Sequence, residues 1–226
     1  MTFSIAARCP RTGEFGVAVA SSSPAVAARC AHVRAGVGAA CSQNVTDPRL
    51  GPALLDALAG RPGAEGAVAH VVDGQLQASW RQLTLIGAVG GPAQYSGERT
   101  LGRHAHALGE DAVAAGNLLA HEGVPRAMTE AFAGSPDAPL GRRLVDALAA
   151  GAAAGGEAGP VHSAGLLVAA QVAWPVTDLR VDWTEGDPVA ELDGLWRLWE
   201  PQGADYVRRA LDPSAAPGYG VPGDPA

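Results

Sequence analysis

The order in which extended and helical stretches follow one another constrains this chain more than any single motif. Residues 2–8 (TFSIAAR) alternate, with Thr2, Ser4 and Ala6 on one face and Phe3, Ile5 and Ala7 on the other. Cys9-Pro10-Arg11-Thr12-Gly13 sets Pro early and Gly late, the composition of a tight turn, and residues 15–21 (FGVAVAS) return as the second strand of a hairpin. Gly16, Ala18 and Ala20 on one face let another layer or a ligand approach closely. A third strand is predicted over 35–44, then helices over 51–59 and 62–72, the latter with Pro62 at an early helical position and a stop before Asp73-Gly74. Strands follow at 82–89 and 93–97, joined by Gly90-Gly91-Pro92, with a short strand at 112–115 ending in Gly116-Asn117. Helices over 124–133 and 140–150, a Gly/Ala linker over 151–159, strands over 163–171 and 176–182, and a helix over 189–199 with Asp187 as N-cap and Pro188 in its first turn complete the pattern.

Hairpins are thus grouped between helix pairs, and helices do not alternate singly with strands. That order predicts a layered antiparallel α+β fold and disfavours a doubly wound parallel sheet. Residues 1–211 are read as one domain and 212–226, holding Gly, Pro and Asp, as a flexible tail. With 47% hydrophobic and 17% charged residues, the 226-residue chain has the makings of a full core.

Charge and residue usage exclude several kinds of chemistry. All 16 basic residues are Arg, so no Lys is present for a Schiff base, a phosphate-binding loop or a Ser–Lys dyad. The formal net charge of −7, with Arg spread along the chain, argues against nucleic acid as a partner. No stretch has the apolar length of a membrane helix, so no membrane partner is expected. Cys9, Cys30 and Cys41 are an odd number without metal-ligand spacing, and no export signal precedes them; reduced thiols and a cytoplasmic location are the expectation. His104-Ala105-His106 lacks the carboxylates that would complete a metal site, and no metal or cofactor is implied. Asp178, Arg180 and Asp182 alternate on one strand face, as a surface or subunit-contact charge network does; Trp183, Trp196 and Trp199 are core or interface, and a homo-oligomer is expected.

Thr2 carries the sharpest chemical reading. Once Met1 is removed, its hydroxyl and its free α-amine sit in one residue and serve as nucleophile and base together. An α-amine titrates near pH 7.7–8.0, so a useful fraction accepts a proton at neutral pH. Asn117, after a Gly that allows close backbone approach, offers an oxyanion-stabilising amide or is a plain strand-end turn. His32 is a base, a substrate contact or a bystander. Gln43-Asn44 orient a substrate or satisfy turn backbone.

The start Thr2-Phe3-Ser4-Ile5-Ala6 followed by Gly16-Val17-Ala18-Val19-Ala20-Ser21 resembles N-terminal nucleophile (Ntn) hydrolases, in which a Thr opens the first strand. The segments MTFSIAAR, GVAVASSSPAV, RAGVGAACSQN, GNLL, PLGRRLVDALAAG, AGGE, HSAGLLV, DLRVD and DPVAEL, in this order, are similar to the bacterial family DUF1028, which is grouped with Ntn-hydrolase-like proteins. The resemblance implies a four-layer αββα sandwich of antiparallel sheets and an amidohydrolase acting on a small amide. Ser21 stands near the place of the Asp of proteasome-type enzymes, and Arg34 near that of their Lys. An Arg is no base, so Arg34 is expected to tune the amine or to bind a substrate carboxylate. Glu157 matches the family's acidic position, although the Arg-Gly pair that usually follows is replaced by Ala158-Gly159-Pro160. Thr2, Asn117 and Ser21 are therefore the catalytic candidates, and Arg34, His32, Asn44 and Glu157 the substrate-binding ones. The alternative is a non-catalytic ligand-binding or scaffold protein on the same fold, favoured by the missing Lys and by Ser21.

Overall fold

A computed structural model of the chain describes residues 2–60 and 63–223. In chain order its elements are β1 (Thr2–Cys9), β2 (Glu14–Ser21), α1 (Ala27–Cys30), β3 (Ala31–Arg34), β4 (Gly38–Asn44), α2 (Leu50–Gly60), α3 (Ala64–Asp73), β5 (Arg81–Gly87), β6 (Ala93–Ser96), β7 (Ala105–Leu108), β8 (Ala112–Asn117), α4 (Val124–Ala133), α5 (Leu140–Ala153), β9 (Ser163–Ala169), β10 (Pro175–Val181), α6 (Pro188–Trp199) and α7 (Gly203–Leu211). Among the described residues the strands form two antiparallel sheets, ordered β10-β9-β2-β1-β8-β7 and β3-β4-β5-β6. The fold is α+β with antiparallel sheets, as the element order implies.

Strand alternation assigns the residues to their faces. Phe3, Ile5 and Ala7 of β1, with Ala18 and Ala20 of β2, pack on Met128, Phe132, Leu144, Leu148, Leu192 and Trp196 from α4, α5 and α6. On the opposite face Ala6, Val17, Val19 and Val113 meet Ala39, Cys41 and Ile86 of the four-stranded sheet. The far side of that sheet, with Ala40, Leu83 and Leu85, packs on Leu50, Leu54 and Val68 of α2 and α3. β1 is buried on both faces because β2 and β8 flank it and because layers cover it above and below. At its C-terminal end Arg8 ties the layers, donating from Nε to Asp111 Oδ1 at 2.7 Å and from Nη1 to the carbonyls of Gly87 and Gly90 at 2.9 Å.

Several boundaries differ from the sequence reading. The strand expected over 35–44 begins at Gly38, after a turn that uses a left-handed Gly36 (φ +70°). A Cβ at Gly38 would stand 2.4 Å from the Ile86 carbonyl, so only glycine permits this pairing. The short α1 and β3 occupy residues 27–34, where no element was expected; they are too brief to leave a period in the sequence. Helix α5 continues to Ala153, into the stretch read as a linker, because Ala propagates helix best. Gly151 there seats Met128, whose Cγ would lie 2.7 Å from any Cβ. Helix α7 lies at the end of the stretch read as the domain, where no element was expected. Pro62, read as an early helical residue, lies outside the described residues. From α7, Arg209 donates to the carbonyls of Pro217 and Gly218 in the following segment at 3.1 Å and stacks over Tyr219.

Candidate functional site

Three strand ends of the larger sheet converge on Thr2. Antiparallel register sets Thr2 opposite Asn117 of β8 on one side, and the Phe3–Ala20 pair brings Ser21 of β2 alongside on the other. By alternation all three side chains face the second sheet, on the surface that Val17, Val19 and Val113 make apolar further along. All three are buried: Thr2 is 4% exposed, Ser21 and Asn117 0%. The Thr2 hydroxyl donates to Ser21 Oγ over 3.5 Å, and Ser21 Oγ lies 2.8 Å from Ser23 Oγ and accepts the Ser23 N–H at 3.1 Å. Polar atoms in a dry interior are tolerated only when hydrogen-bonded, so this run of hydroxyls is a built feature.

The second sheet answers with two buried amides. Gln82 Nε2 donates to the Gly116 carbonyl and to Ser96 Oγ, both at 3.1 Å. A carbonyl only accepts, which fixes the orientation of the Gln82 amide. Its Oε1 therefore faces Gln43 and Asn117, and both supply their NH2 groups, Gln43 Nε2 at 2.8 Å and Asn117 Nδ2 at 3.1 Å. Gln43 Oε1 in turn accepts from Ser4 Oγ at 2.7 Å. The chain of bonds leaves Asn117 Oδ1 buried and without a hydrogen-bond partner among the described residues. Asn117, expected as a donor to an oxyanion, has committed one N–H to Gln82 and presents an unmet acceptor.

Glu157 approaches from the loop after α5. Gly155 and Gly156 adopt left-handed φ values of +114° and +55°, and Gly156 lies against the Phe3 ring. These glycines turn the chain back so that Glu157 bridges to Leu119, just beyond Asn117. Glu157 Oε1 accepts the Ser22 N–H at 3.0 Å, while Oε2 is buried without a partner among the described residues. Burial holds the carboxyl up at about 7; the amino-terminal charge, the Ser22 hydrogen bonds and His162 pull it back only in part. His162 Nδ1 lies 2.8 Å from the Thr184 carbonyl, and its ring stacks on Trp183 with centroids 4.3 Å apart. Ser163 Oγ donates to the Ser23 carbonyl at 2.6 Å and fastens the 22–25 loop.

Three non-glycine residues with left-handed backbone surround the same end of the sheets: Ala25 (φ +49°), Asn44 (φ +74°) and Leu118 (φ +52°). Such conformations cost about 1–2 kcal/mol each for an L-residue and collect where geometry serves function.

The other candidates fall elsewhere. Arg34 sits at the opposite end of β4 from Gln43, about 17 Å along the strand, and pairs with Asp56 at 2.8 Å. The structure does not bring it to Thr2, so the expected amine-tuning or carboxylate-binding role has no geometry here. His32 faces away from the inter-sheet layer; its ring fills the space above Gly51 of α2, where a Cβ would come within 1.9 Å of Cδ2, and burial lowers its pKa. Asn44 lies near the site but ties loops together, donating to the Trp80 carbonyl at 2.6 Å and accepting the Leu101 N–H at 3.1 Å. Burial pushes the Cys41 thiol upward, which keeps it an inert thiol. Asp178 and Arg180 pair within one exposed edge strand, at 2.7 Å. No helix among the described residues is long and apolar enough to cross a membrane.

Sequence reading missed Gln82. A polar residue at a strand entrance reads as solvent-facing; the signal was its place on the same parity as Thr84 and Ile86, which face inward.

The model of the family DUF1028, described as a family of unknown function, matches residues 2–192. The chain is also similar to the crystal structure of protein SPO2555 from Silicibacter pomeroyi, described under the same family, with a TM-score of 0.83 and 31% identity over 92% of this chain and 94% of that one. No curated protein matches.

Proposed function

We propose that this chain, which belongs to the family DUF1028, is an Ntn-type amidohydrolase on a four-layer αββα sandwich, cleaving a C–N bond of a small amide. The observation that carries the reading is the buried polar head of β1, where Thr2, Ser21 and Asn117 share one face. With Thr2 as first residue, its Oγ attacks the amide carbonyl and the α-amine takes the hydroxyl proton. The tetrahedral oxyanion is held by backbone N–H groups and by the Asn117 Nδ2 proton that Gln82 does not use. Collapse breaks the C–N bond, the ammonium returns its proton to the leaving amine, and an ester on Thr2 remains. Water, deprotonated by the same amine, then releases the acid. Ser21 orients the Thr2 hydroxyl through the hydrogen bond between them. A screen of small primary and secondary amides with wild type and Thr2→Ala tests this, together with intact mass. Turnover that survives in Thr2→Ala, or a natively produced chain that keeps Met1, would remove the proposal.

A non-catalytic ligand-binding protein is the second reading. In its favour is a cavity of about 460 Å³ between β10 and the last two helices, lined by Val176, Thr177, Trp196, Trp199, Val207 and Leu211. Capture of an apolar small molecule there, indifferent to Thr2→Ala, is the outcome that this reading expects.

A further inference from the structure

Two acceptors near Thr2, Asn117 Oδ1 and Glu157 Oε2, have no hydrogen-bond donor among the described residues, and the amino-terminal charge and His162 act on Glu157 electrostatically. Asn117 Oδ1 is orphaned because the Gly116 carbonyl fixes Gln82, and Gln82 fixes Asn117. Glu157 Oε2 is orphaned because Oε1 alone is used by the Ser22 N–H. Both residues are more than nine-tenths buried, at 0% and 5% exposure, and they approach from adjacent segments, Asn117 ending β8 and Glu157 bridged to Leu119. Leaving a buried acceptor unmet costs more than an ordinary hydrogen bond contributes, so such groups mark where another molecule's donors belong. Arginines near this end of the sheets have contacts of their own: Arg29 with Ser23 Oγ and the Pro24 and Ala25 carbonyls, Arg81 through Nη1 with the Val45 carbonyl although its Nε stays unmet among the described residues, Arg99 with the Trp80 ring, and Arg103 with the Ala120 carbonyl. Arg34 lies at the far end.

We infer that the site takes a small amide carrying a cationic nitrogen head group, an ammonium or guanidinium, whose N–H donors meet Glu157 Oε2 and Asn117 Oδ1. A substrate carboxylate, the class that Arg34 would have served, is disfavoured by the same two oxygens. The inference rests on the reading of the Thr2 end as the substrate site. It adds the charge class of the substrate, which that reading leaves open.

Three amides of similar length that differ in the head group test it: β-alaninamide (ammonium), succinamate (carboxylate) and butanamide (neutral). Each is titrated into the Thr2→Ala protein by calorimetry, so that binding is read without turnover. The expected result is that β-alaninamide binds at least about tenfold more tightly than succinamate, the scale of one charge-assisted hydrogen bond. Glu157→Gln, which keeps an acceptor for the Ser22 N–H, is expected to remove that preference. Succinamate binding as tightly as β-alaninamide, no saturable binding of β-alaninamide, or a preference unchanged in Glu157→Gln would overturn the inference. Should Glu157→Gln fail to fold, the order of the three probes on the parent protein decides alone. The two readings fail separately. Turnover of succinamate that needs Thr2 leaves the hydrolase and removes the cation, whereas selective β-alaninamide binding without any Thr2-dependent turnover does the reverse.

Discussion

Replacing Glu157 by Gln gives a stability change whose sign and pH dependence follow from the structure. Burial raises the carboxyl from its ordinary 4.5 to about 7, and the residue is 5% exposed. A carboxyl raised in the folded state favours folding while it is protonated. That contribution is fully present below about pH 4.5 and is lost as pH rises through about 7, because the native state must then hold a charge that water solvates better. The displacement corresponds to about 3 kcal/mol between the two limits. Gln keeps an acceptor for Ser22 and never ionises. Urea unfolding of both proteins from pH 4.5 to pH 8.5 should therefore show Glu157→Gln gaining on wild type by about 2–3 kcal/mol across that range. Other titrating groups are common to both chains and cancel in the difference. A difference that stays flat with pH, or that grows in favour of wild type above pH 7, would refute the reasoning about this carboxyl.

Three further outcomes follow from the placement of the remaining candidates. Arg34→Ala removes an exposed ion pair with Asp56 far from Thr2; it should cost less than about 1 kcal/mol by denaturant titration and leave any Thr2-dependent turnover unchanged. Gly51→Ala drives a methyl into the His32 ring and should destabilise by about 1–3 kcal/mol, with the double variant Gly51→Ala/His32→Ala recovering part of the loss in a thermal melt. Asn44→Ala keeps the left-handed φ of +74° but loses the bonds to Trp80 and Leu101; a loss of about 2 kcal/mol, and a faster exchange of the Leu101 amide, are expected.

The first hairpin was legible because its signals are local: alternation over residues 2–8, a Pro-to-Gly turn, and a small-residue return strand. The grouping of helices between hairpins likewise reads off order alone. The site was legible only in part. Thr2, Ser21 and Asn117 each end a strand, and strand ends are visible in sequence, but their convergence depends on β8 pairing with β1 across more than a hundred residues of chain. Glu157 came from family likeness; its burial is set by two left-handed glycines and a bridge to Leu119 that no local pattern announces. Gln82 was invisible because its meaning lies in a bond to Gly116 on the other sheet. Arg34 and His32 misled for one reason: nearness in sequence to a strand says nothing of which end or face they occupy. Register places Arg34 at the far end, and the His32 ring packs against α2.

The central claim is that Thr2 is a nucleophile at a liberated terminus. Incubation of natively produced protein with an acylating β-lactone, followed by intact and peptide mass measurement, tests it most directly. The account predicts a chain that begins at Thr2 and carries a single acyl group on that residue, with no such adduct in Thr2→Ala. A chain that starts at Met1, or acylation that persists when Thr2 is replaced, would contradict it.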